Sequence, residues 1–93
     1  MEAKAPLPLT DEIRHRLAVL APLQLQIEDE STLHAGHRGN DGGGHFRLTI
    51  VSSQFHGKSQ IIRHRLIYQA LDGMIPQRIH ALSIRALAPD EIP

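Results

Sequence analysis

The feature that most constrains this chain is an alternating apolar run that is followed at once by a turn and a helical pattern. Phe46, Leu48 and Ile50 recur at every second residue and therefore share one face of a predicted strand. Gly57 favours a turn that branched residues do not readily adopt, and Ser59 is placed to cap the helix that follows. The stretch therefore predicts a strand, a turn and a helix in succession.

Two predicted elements precede this stretch. Thr10 is the predicted N-cap of a first helix over about residues 11–20, which has acidic residues in its first turn and an apolar stripe. A first strand follows, because apolar and polar residues alternate there and one face is wholly aliphatic. The residues of that inner face are Leu23, Leu25 and Ile27.

Two further elements are predicted after the central helix. Pro76 is suited to begin a short second helix through Ile79, because its missing N–H costs nothing at a first helical position. A last strand follows, and His80 has the parity of its core-facing residues but stands at its beginning, which places it at the edge of the sheet. Those core-facing residues are Leu82, Ile84 and Ala86.

The element order is helix, strand, strand, helix, short helix, strand, and it predicts an α+β fold. Each strand offers one aliphatic face and the helices offer matching stripes, so helices should pack on one face of a three-stranded mixed sheet. The first two strands pair as a hairpin. The third follows a helical crossover, which is almost always right-handed, and can lie parallel to one of them.

With 93 residues the chain accommodates one domain, predicted at residues 10–88 between a flexible lead-in at 1–9 and a tail at 89–93. The chain has no cysteine, which excludes disulfides and any self-contained thiolate metal site. We expect a cytoplasmic protein, because no signal peptide, transit peptide or membrane-spanning run is evident. Ten basic and ten acidic residues balance, which argues against nucleic-acid binding by bulk charge.

Candidate functional residues lie in a loop and in one helix. Residues 29–44 lose all periodicity, contain most of the glycines and include His34 and His37, as expected of a long functional loop. The only local basic cluster comprises Lys58, Arg63, His64 and Arg65. It is either a solvated helix face whose arginine stems cover apolar surface, or a phosphate-binding surface near a helix start.

Two other functions find little support in the sequence. Gly57 has no glycine three residues away, so the clamp by which KH domains hold single-stranded RNA is absent, and few aromatics are available for base stacking. No nucleophile elbow and no catalytic spacing of paired carboxylates is present, so the chain is not predicted to be an enzyme.

Three segments in this order closely resemble the BolA family: Val-Ser-Ser-Gln-Phe-His-Gly-Lys-Ser at 51–59, Arg-His-Arg-Leu-Ile-Tyr at 63–68 and Ile-His-Ala-Leu-Ser-Ile at 79–84. The resemblance implies a class II KH-like fold of order α-β-β-α-α-β. It also implies a monothiol glutaredoxin partner with a shared [2Fe-2S] cluster, used in cluster trafficking or iron sensing. Some bacterial members of the family are DNA-binding transcriptional regulators, so the resemblance also implies this role as an alternative. The chain would then use Lys58, Arg63, His64 and Arg65.

The resemblance also implies which residues ligate the cluster. His80, at the start of the last strand, matches the family's characteristic ligand, and His34 matches its loop ligand because Glu30-Ser31 precedes it in the family's manner; His37 is the competing choice. Two imidazoles cannot hold a cluster alone, so thiolates must come from glutaredoxin and glutathione in a heterodimer. The isolated chain is then expected to be a monomer without a cofactor.

Overall fold

A computed structural model of the chain describes residues 8–30 and 44–92. Two α-helices, three strands and three short 3₁₀ helices form the described part of the fold. In chain order they are α1 (Leu9–Leu17), a 3₁₀ helix (Ala18–Leu20), β1 (Gln24–Asp29), β2 (Gly44–Val51), a 3₁₀ helix (Ser53–Phe55), α2 (Gln60–Ala70), β3 (Ile79–Leu87) and a 3₁₀ helix (Pro89–Glu91).

The three strands form one mixed sheet with β2 at its centre. β1 pairs with β2 in an antiparallel ladder, β3 pairs with β2 in a parallel ladder, and β1 and β3 are the outer strands. The helical connection between β2 and β3 provides the crossover that a parallel pair requires. The predicted α+β fold with a three-stranded mixed sheet is confirmed.

One face of this sheet and both α-helices form the core. Phe46, Leu48 and Ile50 are all buried, as their period-two spacing predicts, and they pack with apolar residues of the helices. The opposite face is polar, because Arg47 alternates with the buried positions and pairs with exposed residues on both neighbouring strands. The principal helical contributors to the core are Ile13, Leu17, Ile67 and Leu71.

The helix start predicted at Ser59 is confirmed, and the one predicted at Thr10 is wrong. The Ser59 hydroxyl accepts a hydrogen bond from the Ile62 amide at 3.3 Å, which satisfies an otherwise unpaired donor of α2. α1 instead begins at Leu9, directly after Pro8, and has no side-chain cap. Leu9 packs against the core, which explains why the helix includes part of the predicted lead-in.

Two further expectations differ from the structure. Residues 71–78 form consecutive turns rather than a short helix, because their backbone hydrogen bonds converge on Leu71 and Met74 instead of running residue by residue. The Ile75–Pro76 bond in this segment is cis. Leu23 precedes β1 and is 66% exposed, so it does not belong to the inner face of the sheet as predicted.

Arg63 binds Glu91, a residue of the C-terminal tail predicted at residues 89–93. This arginine is only 3% exposed, and its Nη2 donates to Glu91 Oε2 at 2.8 Å while Nη1 donates to Oε1 of the same carboxylate. Its remaining donors reach two backbone oxygens, Lys58 O at 2.8 Å and Ala86 O at 3.0 Å. One guanidinium therefore joins α2, β3 and the last 3₁₀ helix.

We predict that Arg63→Lys destabilises the protein by about 1–3 kcal/mol, because an ammonium keeps the charge but cannot reproduce the planar fork that serves four acceptor atoms on three residues. The free energy of unfolding from urea titration measures this loss. Arg65→Lys is the matched control on the same helix, and its exposed side chain predicts a change within about 0.5 kcal/mol. Equal effects of the two variants would contradict a special role for Arg63.

Candidate metal centre

His80 is the second residue of β3, and an irregularity in the strand pairing determines its position. Gly44 pairs with Ile79 and His45 pairs with Ala81, so His80 is an extra residue between two regular pairs. Such a bulge interrupts the alternation of side chains along a strand. Ile79 is consequently fully buried, whereas His80 is exposed. The predicted place at the sheet edge is confirmed, but the core-facing parity of His80 is wrong for this reason.

His45 lies beside His80 at the same end of the sheet. The centroids of the two imidazole rings are 5.2 Å apart, and the ring planes are inclined by 39°. His45 follows the first residue of β2, is half-buried, and belongs to the face opposite the core because Phe46 points into the core. The structure thus brings together two imidazoles that are far apart in the sequence.

Sequence reasoning did not single out His45 as a site residue. Its nearness to His80 depends on β3 pairing in parallel with β2 and on the extra residue in the ladder. Neither the partner strand nor the register is encoded in the local pattern around residue 45. A histidine next to the first core residue of β2 was the only local signal available.

The predicted loop ligands His34 and His37 lie outside the described residues, so their assignment stays a prediction. The residues that flank them are described. Glu30 N donates to His45 O at 2.7 Å, just after β1, and Gly44 N donates to Arg78 O at 3.2 Å, just before β3. Glu30 and Gly44, the residues on either side of the segment 31–43, therefore both lie at the end of the sheet that holds His80.

The imidazole pair is not a complete metal site by itself. Within residues 8–30 and 44–92, no group of three or more histidine, cysteine, aspartate or glutamate side chains is arranged to hold a metal ion. A four-coordinate ion bound by His45 and His80 would need further donors. These would come from solvent, from the segment between β1 and β2, or from another molecule.

The predicted basic cluster is divided by the fold. Lys58 and Arg65 are exposed and His64 is half-buried, but the buried Arg63 is bound by Glu91 and by backbone oxygens. A phosphate could reach the Arg63 guanidinium only by displacing this carboxylate. The expectation that Arg63 belongs to a solvated helix face is therefore wrong, and the accessible cations of this surface are Lys58 and Arg65.

The ion pair between Arg63 and Glu91 shifts the pKa of both residues. The hydrogen bond from Arg63, followed by the one from the Ala88 amide, lowers the pKa of Glu91 from 4.5 to about 2. In the other direction, the hydrogen bond to Glu91 raises the pKa of Arg63, against the opposing effect of burial. Both shifts favour the charged forms and so favour the folded arrangement at neutral pH.

The aromatic residues do not form a nucleic-acid stacking surface. Phe46 and Phe55 are buried, and Phe55 lies beneath the Arg63 guanidinium, whose central carbon is 5.9 Å from the ring centroid. Tyr68 is 45% exposed and is the remaining aromatic of the chain. One exposed ring agrees with the prediction that no base-stacking platform is present.

Comparison with known proteins identifies the family. The sequence model of the BolA-like protein family matches residues 17–91. The chain belongs to the BolA family. The solved structure of BolA1 from Arabidopsis thaliana is 38% identical in sequence to this chain and superposes on it with a TM-score of 0.80. The match covers 96% of this chain and all of the BolA1 chain. The family that the sequence motifs indicate is thus confirmed together with the fold.

Two curated BolA relatives illustrate the range of proteins that contain this domain. The chain is 48% identical over 79 residues to SufE-like protein 1, chloroplastic/mitochondrial, from Arabidopsis thaliana, covering 78% of this chain and 21% of that protein. It is 40% identical over 70 residues to the DNA-binding transcriptional regulator BolA of Haemophilus influenzae, covering 75% of this chain and 66% of that protein. The chain therefore spans only part of each.

The matching family and the Haemophilus relative are named for a BolA-like domain and for transcriptional regulation, and these names state no reaction. Among the described residues, no helix is long and apolar enough to cross a membrane.

We predict that the stabilisation contributed by the Arg63–Glu91 pair is lost in acid. Because the folded pKa of Glu91 lies below its ordinary value, the contribution is fully present above about pH 4.5 and is lost as the pH falls toward 2. Urea titrations of the wild type and Glu91→Gln over this range test the prediction. The stability difference between the two proteins should shrink with falling pH, and a constant difference would contradict it.

Proposed function

We propose that this BolA-family chain binds a monothiol glutaredoxin and completes the ligation of a shared [2Fe-2S] cluster through His80. The single observation that carries the proposal is the position of His80, an exposed imidazole at the same sheet end as Glu30 and Gly44. An exposed ligand at an outer strand is accessible to a second protein. A ligand buried in the aliphatic core would not be.

The donor set of the chain supports shared rather than autonomous cluster binding. Imidazole nitrogens can replace two thiolates on one iron of a [2Fe-2S] cluster, as in Rieske centres. The chain has several histidines and no cysteine, so the thiolates must be supplied by glutaredoxin and by glutathione. When bound, the cluster would supply a labile iron–sulfur unit, while this chain provides imidazole nitrogen and a docking surface.

In this proposal the second nitrogen comes from the segment between β1 and β2, with His34 as the expected ligand and His37 as its alternative. The position of the flanking residues Glu30 and Gly44 at the His80 end of the sheet supports the assignment. The isolated chain is a monomer without a cofactor, and the heterodimer acts in cluster trafficking or in iron sensing. Its cytoplasmic location stays a prediction, since one relative is named as chloroplastic/mitochondrial.

A second candidate function is DNA-binding transcriptional regulation, which the name of the Haemophilus relative favours. On this chain the contact would use Lys58 and Arg65, with His64 beside them, because Arg63 is occupied by Glu91. Lys58 lies just before α2, and the N-terminus of a helix also favours phosphate. The balanced net charge implies that such binding depends on this local surface.

For the principal function, we predict that His80→Ala removes most of the cluster from the heterodimer. The variant is co-expressed with the host's monothiol glutaredoxin, purified anaerobically, and compared with the wild type by visible absorption and circular dichroism of the heterodimer fraction. His56→Ala is the matched control, because His56 is also exposed but adjoins Asp90 at the other end of β3. An unchanged heterodimer spectrum in His80→Ala would contradict the ligand assignment.

For the second function, we predict that Lys58→Ala combined with Arg65→Ala weakens a salt-sensitive DNA mobility shift. Loss of two phosphate contacts should lower the slope of log affinity against log salt by about 2. Arg47→Ala combined with Arg85→Ala removes the same charge from the polar sheet face and should leave the slope unchanged. If both pairs weaken binding equally, only net charge matters and the α2 surface is not a binding site.

A further inference from the structure

We propose that His45 and His80 together form a two-imidazole site for a single tetrahedral metal ion. The pairing of the two rings is a contact between β2 and β3. The iron-binding form of this inference rests on the proposed function and changes one part of it, because His45 then takes the place of His34 as the second nitrogen ligand. Zinc binding by the isolated chain does not depend on that function.

The separation of the rings fits one shared ion. With nitrogen-to-zinc bonds of about 2.0–2.1 Å, two imidazoles at a tetrahedral angle have centroids about 5 Å apart. The observed distance between the His45 and His80 centroids is 5.2 Å.

The backbone around both histidines is held by hydrogen bonds. His45 O accepts from Glu30 N at 2.7 Å, and the pairing of β2 with β3 continues through Ala81. The extra residue in β3 places the His80 side chain outside the core, on the side where His45 projects. A site on paired strands needs little rearrangement before it binds, which favours affinity over an equivalent site on a free segment.

The two imidazoles provide half of a tetrahedral donor set. A zinc ion bound by both would complete its coordination with water in the isolated chain, whereas an iron of a shared cluster would be completed by its bridging sulfides. The pair of imidazoles therefore suits both a zinc ion and an iron of a shared cluster. The Rieske arrangement, with two histidines on one iron, is the corresponding cluster geometry.

The test is a Zn²⁺ titration of the full 93-residue chain, without glutaredoxin, followed by long-range ¹H–¹⁵N NMR of the imidazole nitrogens. We expect the nitrogens of His45 and His80 to shift together and to saturate at one zinc per chain. His45→Asn and His80→Asn should each raise the dissociation constant by at least about tenfold. Backbone amide spectra of each variant verify that the fold is retained.

A control variant separates this site from other imidazoles. His56→Asn removes an exposed histidine elsewhere and should leave the zinc affinity unchanged. The inference is overturned if the wild type binds no zinc, if His45→Asn binds as tightly as wild type, or if His56→Asn loses as much affinity as His80→Asn.

The outcome is independent of the glutaredoxin experiment. If zinc binds through His45 and His80 but the heterodimer carries no cluster, the proposed function fails and the metal site stands. If the heterodimer loses its cluster in His80→Ala while His45→Asn leaves both zinc affinity and the heterodimer spectrum unchanged, the proposed function stands and His45 is not a ligand.

Discussion

The position of β2 between two strands is the constraint on which the rest of the structure depends. β2 is paired along both edges and buries one face, so its register decides which side chains enter the core and which remain on the polar face. The same register brings the end of β1, the start of β2 and the start of β3 to one end of the sheet. The candidate metal centre lies there because three chain segments meet at that end.

A single buried cation fixes the opposite side of the domain. Arg63 has hydrogen-bonding partners for its fork of donors in three different parts of the chain, and the carboxylate of Glu91 offsets the cost of burying its charge. This arrangement distinguishes a buried, paired charge on α2 from an exposed one. Arg63 contributes to folding, whereas the neighbouring Arg65 remains accessible to a partner.

Much of the fold could be predicted from the sequence because its signals are local. The alternation of Phe46, Leu48 and Ile50 and the cap at Ser59 both correspond to observed features. The start of α1 was predicted wrongly because burial of Leu9 outweighed the capping preference of Thr10. Non-local features could not be predicted in the same way.

The site illustrates that limit. The burial of Arg63 depends on Glu91, which lies 28 residues away, and the nearness of His45 to His80 depends on the register of a parallel ladder. No pattern within a short window of sequence encodes either contact. The family resemblance indicated His80, but only the three-dimensional pairing of strands shows which imidazole lies beside it.

The extra residue in β3 shows that packing alone does not account for His80. Ile79 and Leu82 both belong to the core, and the β2 positions opposite them, Gly44 and Phe46, are separated by only one residue. If His80 were absent, Ile79, Ala81 and Leu82 would alternate without interruption against β2, and every core contact of the strand could be kept. The domain thus contains a surplus residue that its hydrophobic architecture does not require. The position of the His80 imidazole outside the core is therefore a feature that hydrophobic packing does not explain.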